Sequence, residues 1–196
     1  MPRYNSNVVI NGSVPVTRPN KSSKTKKTLP TVQCKSKNNV LFSYKYFKCA
    51  SLKNNEFNNC FKNILDYAQW ITFCLERISY ISTMSIGELY NSGSVVRFHH
   101  VKDESLAKLK EVLKELNLNV DDIFSQDESQ SYYELSLGAG NGRIFGYLIE
   151  NMYFILLLDP NHLIYPNVSK GAKQDLLYKN YKPWEQLLSN NNEVHR

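Results

Sequence analysis

The stretch "GRIFGYLIENMYFILLLDPNH", from Gly142 to His162, decides the fold. Two apolar runs are separated by Glu150-Asn151, which is the length of a tight hairpin, and Asn tolerates the positive φ that such turns require. The second run, Met152 to Leu158, has no polar residue at any position. A strand of this kind is covered on both faces, so we expect it to lie centrally in a sheet.

Other elements extend outward from this hairpin. The alternation of Tyr132 to Leu137 predicts a third strand, joined to the hairpin by the loop "GAGNG". Strands are also predicted at 40–47 and 94–101, and helices at Phe57 to about Ser82 and from Asp103 onward. The order predicts an α+β fold: a single, mainly antiparallel sheet with a C-terminal three-stranded meander packed against two main helices.

The first of these helices has apolar residues at three- and four-residue spacing, which is typical of a helix with one buried face. We therefore predict an apolar stripe of Phe61, Ile64, Leu65, Ala68, Ile71, Leu75 and Ile78, widened by Trp70 and Phe73.

The net charge of +6 is unevenly distributed along the chain. Residues 1–55 hold 11 Lys/Arg and no Asp/Glu, whereas the remaining residues hold 13 Lys/Arg and 18 Asp/Glu, a net charge of −5. Residues 1–38 are too polar to offset their ordering entropy, so we interpret them as a basic arm, disordered or ordered by a partner, before a single α+β domain at 39–196. Nucleic-acid phosphates are the expected target of Arg18, Lys21, Lys24, Lys26 and Lys27. An acidic protein surface is the alternative target.

Composition also limits the compartment and the cofactors. No uncharged apolar run approaches the roughly 18 residues that cross a bilayer, and no secretory signal is evident. The cysteines form no C-x-x-C pair, which argues against a zinc site. We expect a cytoplasmic protein with reduced thiols, no membrane association, no metal and no cofactor.

The end of the second apolar run carries the first candidate site, "DPNH". In the structural interpretation, Asp159 accepts backbone N–H bonds from Asn161 or His162 and forms a turn at Pro160. In the functional interpretation, Asp159 orients His162 as a general acid or base, with Tyr165 as a nearby hydroxyl donor.

The segment "RFHH" carries the second candidate site. On a strand, Arg97 and His99 point to one side and His100 to the other. One of these histidines beside His162 forms the imidazole pair that a metal-independent ribonuclease needs, and Arg97 or Arg143 balances the charge of the phosphorane. A weaker alternative combines the same histidines with the carboxylate of "DPNH" as a metal site.

The layout of residues 94–165 resembles the RelE/ParE-like toxins of type II toxin–antitoxin systems. A helix leads into a three-stranded meander that has an Arg on its middle strand and a polar cluster after its last strand. The resemblance implies a ribosome-dependent mRNA endonuclease or gyrase poison, neutralised by an antitoxin. It also implies that Arg143, His162 and Tyr165 lie near the catalytic face. The pattern of the hairpin is also similar to that of small proteins of bacterial mobile elements.

Together these features predict a toxin-like, metal-independent endoribonuclease or RNA-targeting protein of a bacterial or phage mobile element. RNA, the ribosome and an antitoxin-like protein are the expected partners. The alternative is a non-catalytic protein-interaction module whose basic arm docks on a partner or on nucleic acid. The sequence leaves the oligomeric state open.

Overall fold

A computed structural model describes residues 38–124, 131–138, 140–166 and 172–191 of the chain. The predicted basic arm, with its five candidate Arg and Lys residues, lies outside the described residues except for Asn38. Among the described helices, none is long and apolar enough to cross a membrane. The elements are β1 (Leu41–Ser43), α1 (Ile64–Ser82), α2 (Ile86–Tyr90), β2 (His99–His100), α3 (Asp103–Glu115), α4 (Val120–Phe124), β3 (Tyr132–Ser136), β4 (Arg143–Ile149), β5 (Met152–Asp159), α5 (Ala172–Tyr178) and α6 (Pro183–Asn191).

The five strands form one sheet in the order β1-β5-β4-β3-β2. The predicted meander is present, because β3, β4 and β5 are consecutive antiparallel neighbours, and β5 is paired on both sides. The sheet is mixed, however, and not mainly antiparallel as predicted, because β1 runs parallel to β5 with Leu41 opposite Met152. This pairing joins segments far apart in the chain, and the local pattern of a strand carries no information about the direction of a distant partner.

Helices cover both faces of the sheet. Alternate residues of the central strands face opposite sides, except at Leu156 and Leu157, where a register shift opposite Phe145 and Gly146 interrupts the alternation. Each strand therefore contributes to two separate cores. The side chains of β3, β4 and β5 that pack with α1 and α2 are Tyr133, Leu135, Ile144, Tyr153, Ile155 and Leu158. The opposite face packs against α3 and α4 through Tyr132, Phe145, Tyr147, Leu156 and Leu157. The result is an α+β fold in which a single mixed sheet lies between two helical layers.

Helix α1 differs from its prediction in both its start and its buried face. It begins at Ile64, where the side chain of Asn63 caps it, and not at Phe57. Its buried residues are Trp70, Cys74 and Ile81. The predicted stripe is therefore wrong in part, since Leu65 is 63% exposed and Leu75 is 55% exposed. The helix is apolar on more than one side, so spacing alone does not identify the side that faces the sheet.

Candidate functional site

A cleft of about 690 Å³ opens at the end of the sheet where β3 and β5 end and β4 begins. The strand register places Ser136 beside Arg143, and Arg143 beside Asp159, in one row across this end. Four of the predicted site residues line the cleft: Arg97, Arg143, His162 and Tyr165. The other three, Asp159, His99 and His100, do not line it.

The loop between β3 and β4 forms one wall of the cleft. Gly138, Gly140 and Gly142 all have positive φ, at 106°, 80° and 91°. At Gly142 a Cβ would overlap the carbonyl oxygen of Asp159 and lie 2.7 Å from the Cα of Pro160, so a side chain is excluded there.

Helix α1 holds this loop in place. The indole Nε1 of Trp70 donates a hydrogen bond to the carbonyl oxygen of Asn141 at 2.8 Å. The ring of Phe73 packs against Gly138, 3.5 Å from the position that a Cβ would occupy there. The glycine-rich loop is thus a positioned wall of the cleft, and not simply a loose connection.

Asp159 lies under the cleft floor and is fully buried. Its Oδ1 accepts the backbone N–H of Asn161 at 3.2 Å, and its Oδ2 accepts that of Ile164 at 2.8 Å. Burial raises the pKa of the Asp159 carboxyl, and bonds from the backbone N–H groups of Ile164, Leu163 and Asn161 act in the opposite direction. This arrangement is the turn of the structural interpretation, in which the carboxylate shapes the chain that follows β5.

His162 lines the cleft and joins two of its walls. Its φ of 56° lies in the left-handed region, which is uncommon for residues other than glycine. Its Nε2 accepts the backbone N–H of Gly142 at 2.9 Å, so this nitrogen carries no proton in the structure and its lone pair is already engaged. A role for Nε2 as a proton acceptor therefore requires that this bond break.

Sequence reasoning missed Glu134, a buried carboxylate beside the cleft. Its Oε1 accepts from Nε of Arg143 at 3.3 Å and lies 3.0 Å from Nε2 of His99. Arg143 in turn donates from Nη1 to Oγ of Ser136 at 3.1 Å. We call these four residues the Glu134 cluster. The available signal was a charged residue inside the otherwise uncharged run "YYELSL".

The two adjacent histidines point to opposite faces of β2, as strand alternation predicts. His99 pairs with Glu134 across the strands and reaches its carboxylate, while its side chain stays 55% exposed. His100 pairs with Tyr133, and its ring lies 4.5 Å from the Tyr133 ring on the other face. Of the two, His99 is thus the one that belongs to the same polar group as Arg143.

The Lys and Arg side chains around the cleft differ in how many of their N–H donors already have a hydrogen-bond or ion-pair partner. Lys179 bridges to Asp175 at 3.2 Å and donates to Oδ1 of Asn161 at 2.6 Å. Arg97 is exposed, and no carboxylate among the described residues forms an ion pair with it. Within the same part of the chain, Nη2 of Arg143 has no hydrogen-bond partner, whereas Nε and Nη1 do. Two guanidinium groups therefore offer donors to an anion in the cleft.

The alternative interpretation of the two candidate sites is a metal site built from their histidines and Asp159. Within the described ranges, no three His, Cys, Asp or Glu side chains come close enough to hold a metal ion together.

The chain is thus an α+β protein with a single sheet and a basic cleft at one end of that sheet. It belongs to the family described as "Uncharacterised protein UU032", whose model matches residues 43–189. No curated protein and no solved structure matches the chain. The matched range contains every residue that lines the cleft and excludes the basic arm.

Proposed function

We propose that the protein binds RNA and that the cleft holds its phosphates through Arg97 and Arg143. The main evidence is that the cleft collects positive charge although the domain around it is negatively charged. Residues 56–196 have a net charge of −5, and two guanidinium groups with unused donors nevertheless meet in one cleft. Among the described residues, Arg97 has no ion pair with a carboxylate, and Arg143 keeps its Nη2 donors free beside its ion pair with Glu134. Cationic donors gathered in a concave site attract anions and raise their local concentration.

Arginine suits this role better than lysine. Its planar guanidinium carries five N–H donors at fixed angles, so a group held on one side still presents a donor edge to a phosphate oxygen. In Arg143 the Nε side of the group is held by Glu134 and Nη1 by Ser136, which orients the Nη2 edge before a ligand arrives. Such preorganisation lowers the entropy lost on binding.

The basic arm fits the same proposal. Its Lys and Arg residues contribute contacts to RNA phosphates that do not depend on base sequence. In the toxin-like version of the proposal, an antitoxin-like protein covers the cleft and competes with RNA. RNA and the antitoxin-like protein are both partners that the RelE/ParE-like resemblance predicts.

The test measures binding of a fluorescently labelled RNA to the full chain and to Arg97→Ala and Arg143→Ala variants at several salt concentrations. Each substitution removes one phosphate contact, so we expect about tenfold weaker binding and a salt-dependence slope reduced by about one.

Lys114→Ala is the matched control, because Lys114 is exposed on α3, carries the same charge and lies outside the cleft. Equal losses in all three variants indicate net charge and not the cleft. Unchanged affinity in both arginine variants contradicts the proposal, and the absence of RNA binding by the unaltered protein favours the protein-interaction module.

A second candidate function, metal-independent RNA cleavage, is favoured by the pair of His99 and Glu134. A buried carboxylate 3.0 Å from an exposed imidazole orients the ring, and the same carboxylate holds the phosphate-binding Arg143. This is the arrangement of a positioned general acid or base beside an anion site. His162, which lines the cleft, is the other candidate for proton transfer.

Cleavage is tested by incubating RNA with the protein in EDTA and following the fragments. His99→Ala and His162→Ala are each expected to slow cleavage at least 100-fold, within the range of about 10²–10⁴ for acid–base groups. His100→Ala is the control, since His100 packs on the opposite face of β2. RNA that stays intact with the unaltered protein excludes the catalytic version and leaves the binding proposal standing.

A further inference from the structure

A second, smaller cavity adjoins the cleft. This cavity of about 250 Å³ is lined by Phe73, Gln69 and Asn141, among others. Gly140, Pro160 and Lys179 line both spaces, so the two adjoin along a shared wall. We call the two cavities together the extended groove.

Each of the two cavities of the extended groove is lined by an exposed aromatic ring. Tyr165 lines the cleft and is 56% exposed. Phe73 lines the second cavity and is 40% exposed, with its ring packed against Gly138 of the shared loop. The ammonium of Lys102 lies 5.3 Å over the Tyr165 ring and covers one of its faces.

We propose that the extended groove binds single-stranded RNA, with one base stacked on Tyr165 and another on Phe73. The phosphates of the strand then lie on Arg97 and Arg143. This inference rests on the proposed RNA binding and adds its substrate class. Exposed aromatic rings combined with cations in one groove are the means by which proteins hold unpaired strands.

The preference for single strands follows from the geometry of bases. In a duplex the base faces stack on one another, and they cannot reach a protein ring unless the duplex opens. In a single strand they are accessible. The amides of Gln69 and Asn141 in the second cavity offer polar contacts to base edges, which a duplex already uses in pairing.

Exposure by itself does not explain these two rings, because scattered exposed apolar residues are normal on protein surfaces. Tyr178 is more exposed than Tyr165, at 72%, yet it lines neither cavity. Leu75 lies on the same helix as Phe73, is 55% exposed and also lines neither. These two residues are therefore matched controls for the aromatic pair.

The experiment measures the affinity of the full chain for a labelled RNA oligonucleotide as a single strand and as a blunt duplex with its complement. The proposal predicts tighter binding of the single strand. Tyr165→Ala and Phe73→Ala are each expected to weaken single-strand binding about 5- to 150-fold, the range for loss of one stacked base, and to leave duplex binding unchanged. Tyr165→Phe keeps the ring and is expected to retain affinity.

The outcomes separate this inference from the function on which it rests. If single strand and duplex bind equally, or if Tyr178→Ala and Leu75→Ala weaken binding as much as the groove variants, single-strand recognition is overturned while RNA binding survives. If Tyr165→Phe loses affinity like Tyr165→Ala, the hydroxyl acts and stacking is overturned. If neither RNA binds, the proposed function itself fails.

Discussion

Two buried carboxylates lie near the cleft and have different partners: Asp159 is the last residue of β5, and Glu134 is in β3. Asp159 is bonded by backbone N–H groups of its own turn. Glu134 accepts a hydrogen bond from the side chain of Arg143 and lies 3.0 Å from Nε2 of His99. The partner determines the role: a carboxylate held by the backbone determines the path of the chain, and one held by ionisable side chains orients groups that face a ligand.

The energetic consequences differ in the same way. Removal of Asp159 leaves backbone N–H groups buried without acceptors, at a cost of about 1–3 kcal/mol for each group. Removal of Glu134 leaves Arg143 and His99 unpaired, but both are near solvent, since their side chains are 18% and 55% exposed. The first change should therefore act mainly on stability and the second mainly on the cleft.

The largest effect is expected for Asp159→Ala. Loss of both acceptor oxygens should lower the free energy of unfolding by about 3 kcal/mol and the melting temperature by roughly 10 °C for a domain of this size. Calorimetry checks this, and RNA affinity at a temperature where the variant is still folded should stay unchanged. A variant that melts like the unaltered protein but loses RNA binding would reverse the roles of the two carboxylates.

An intermediate effect is expected for Glu134→Ala, and its direction is informative. The substitution makes the protein more positive, so simple attraction predicts tighter RNA binding. If Glu134 positions Arg143, binding should instead become about fivefold weaker, with little change in melting temperature. Glu134→Gln should recover part of the affinity because its amide oxygen still accepts from Nε of Arg143. Tighter binding by Glu134→Ala would remove the positioning role.

The smallest effect is expected for Ser136→Ala. Its Oγ accepts from Nη1 of Arg143 and from the backbone N–H of Gly138. Loss of this hydroxyl should reduce stability by about 1 kcal/mol and RNA affinity about twofold, since Glu134 still holds the Nε side of the guanidinium. Titrating Ser136→Ala and Glu134→Ala with the same RNA checks the order of their affinity losses. A larger loss of affinity in Ser136→Ala than in Glu134→Ala would make the serine the main support of Arg143.

Local sequence patterns predicted the elements around the hairpin well. The unbroken apolar run of β5 indicated a strand with neighbours on both sides, and the two-residue connection at Glu150-Asn151 indicated antiparallel pairing with β4. These features depend on adjacent residues and short turns, whose geometry the chain itself limits. The buried face of α1 was harder to predict from the sequence. The rotation of this helix about its own axis depends on tertiary contacts such as the hydrogen bond from Trp70 to Asn141.

The sequence identified four residues that line the cleft, but it did not predict the contacts among the side chains of the site. Arg97, Arg143, His162 and Tyr165 stand out as polar groups at strand ends, and the structure brings all four to one cleft. Glu134 and its bonds to His99 and Arg143 depend on the register of three strands, which no short segment of sequence specifies.

The sequence by itself determined the covered strand, the meander and the charge contrast between the first 55 residues and the rest. Only the tertiary structure decided that β1 runs parallel to β5, that Asp159 turns inward, and that Glu134 joins His99 to Arg143. The physical reason is distance along the chain. Periodicity and turn chemistry act over a few residues, whereas strand direction, register and shared hydrogen bonds arise when remote segments pack together.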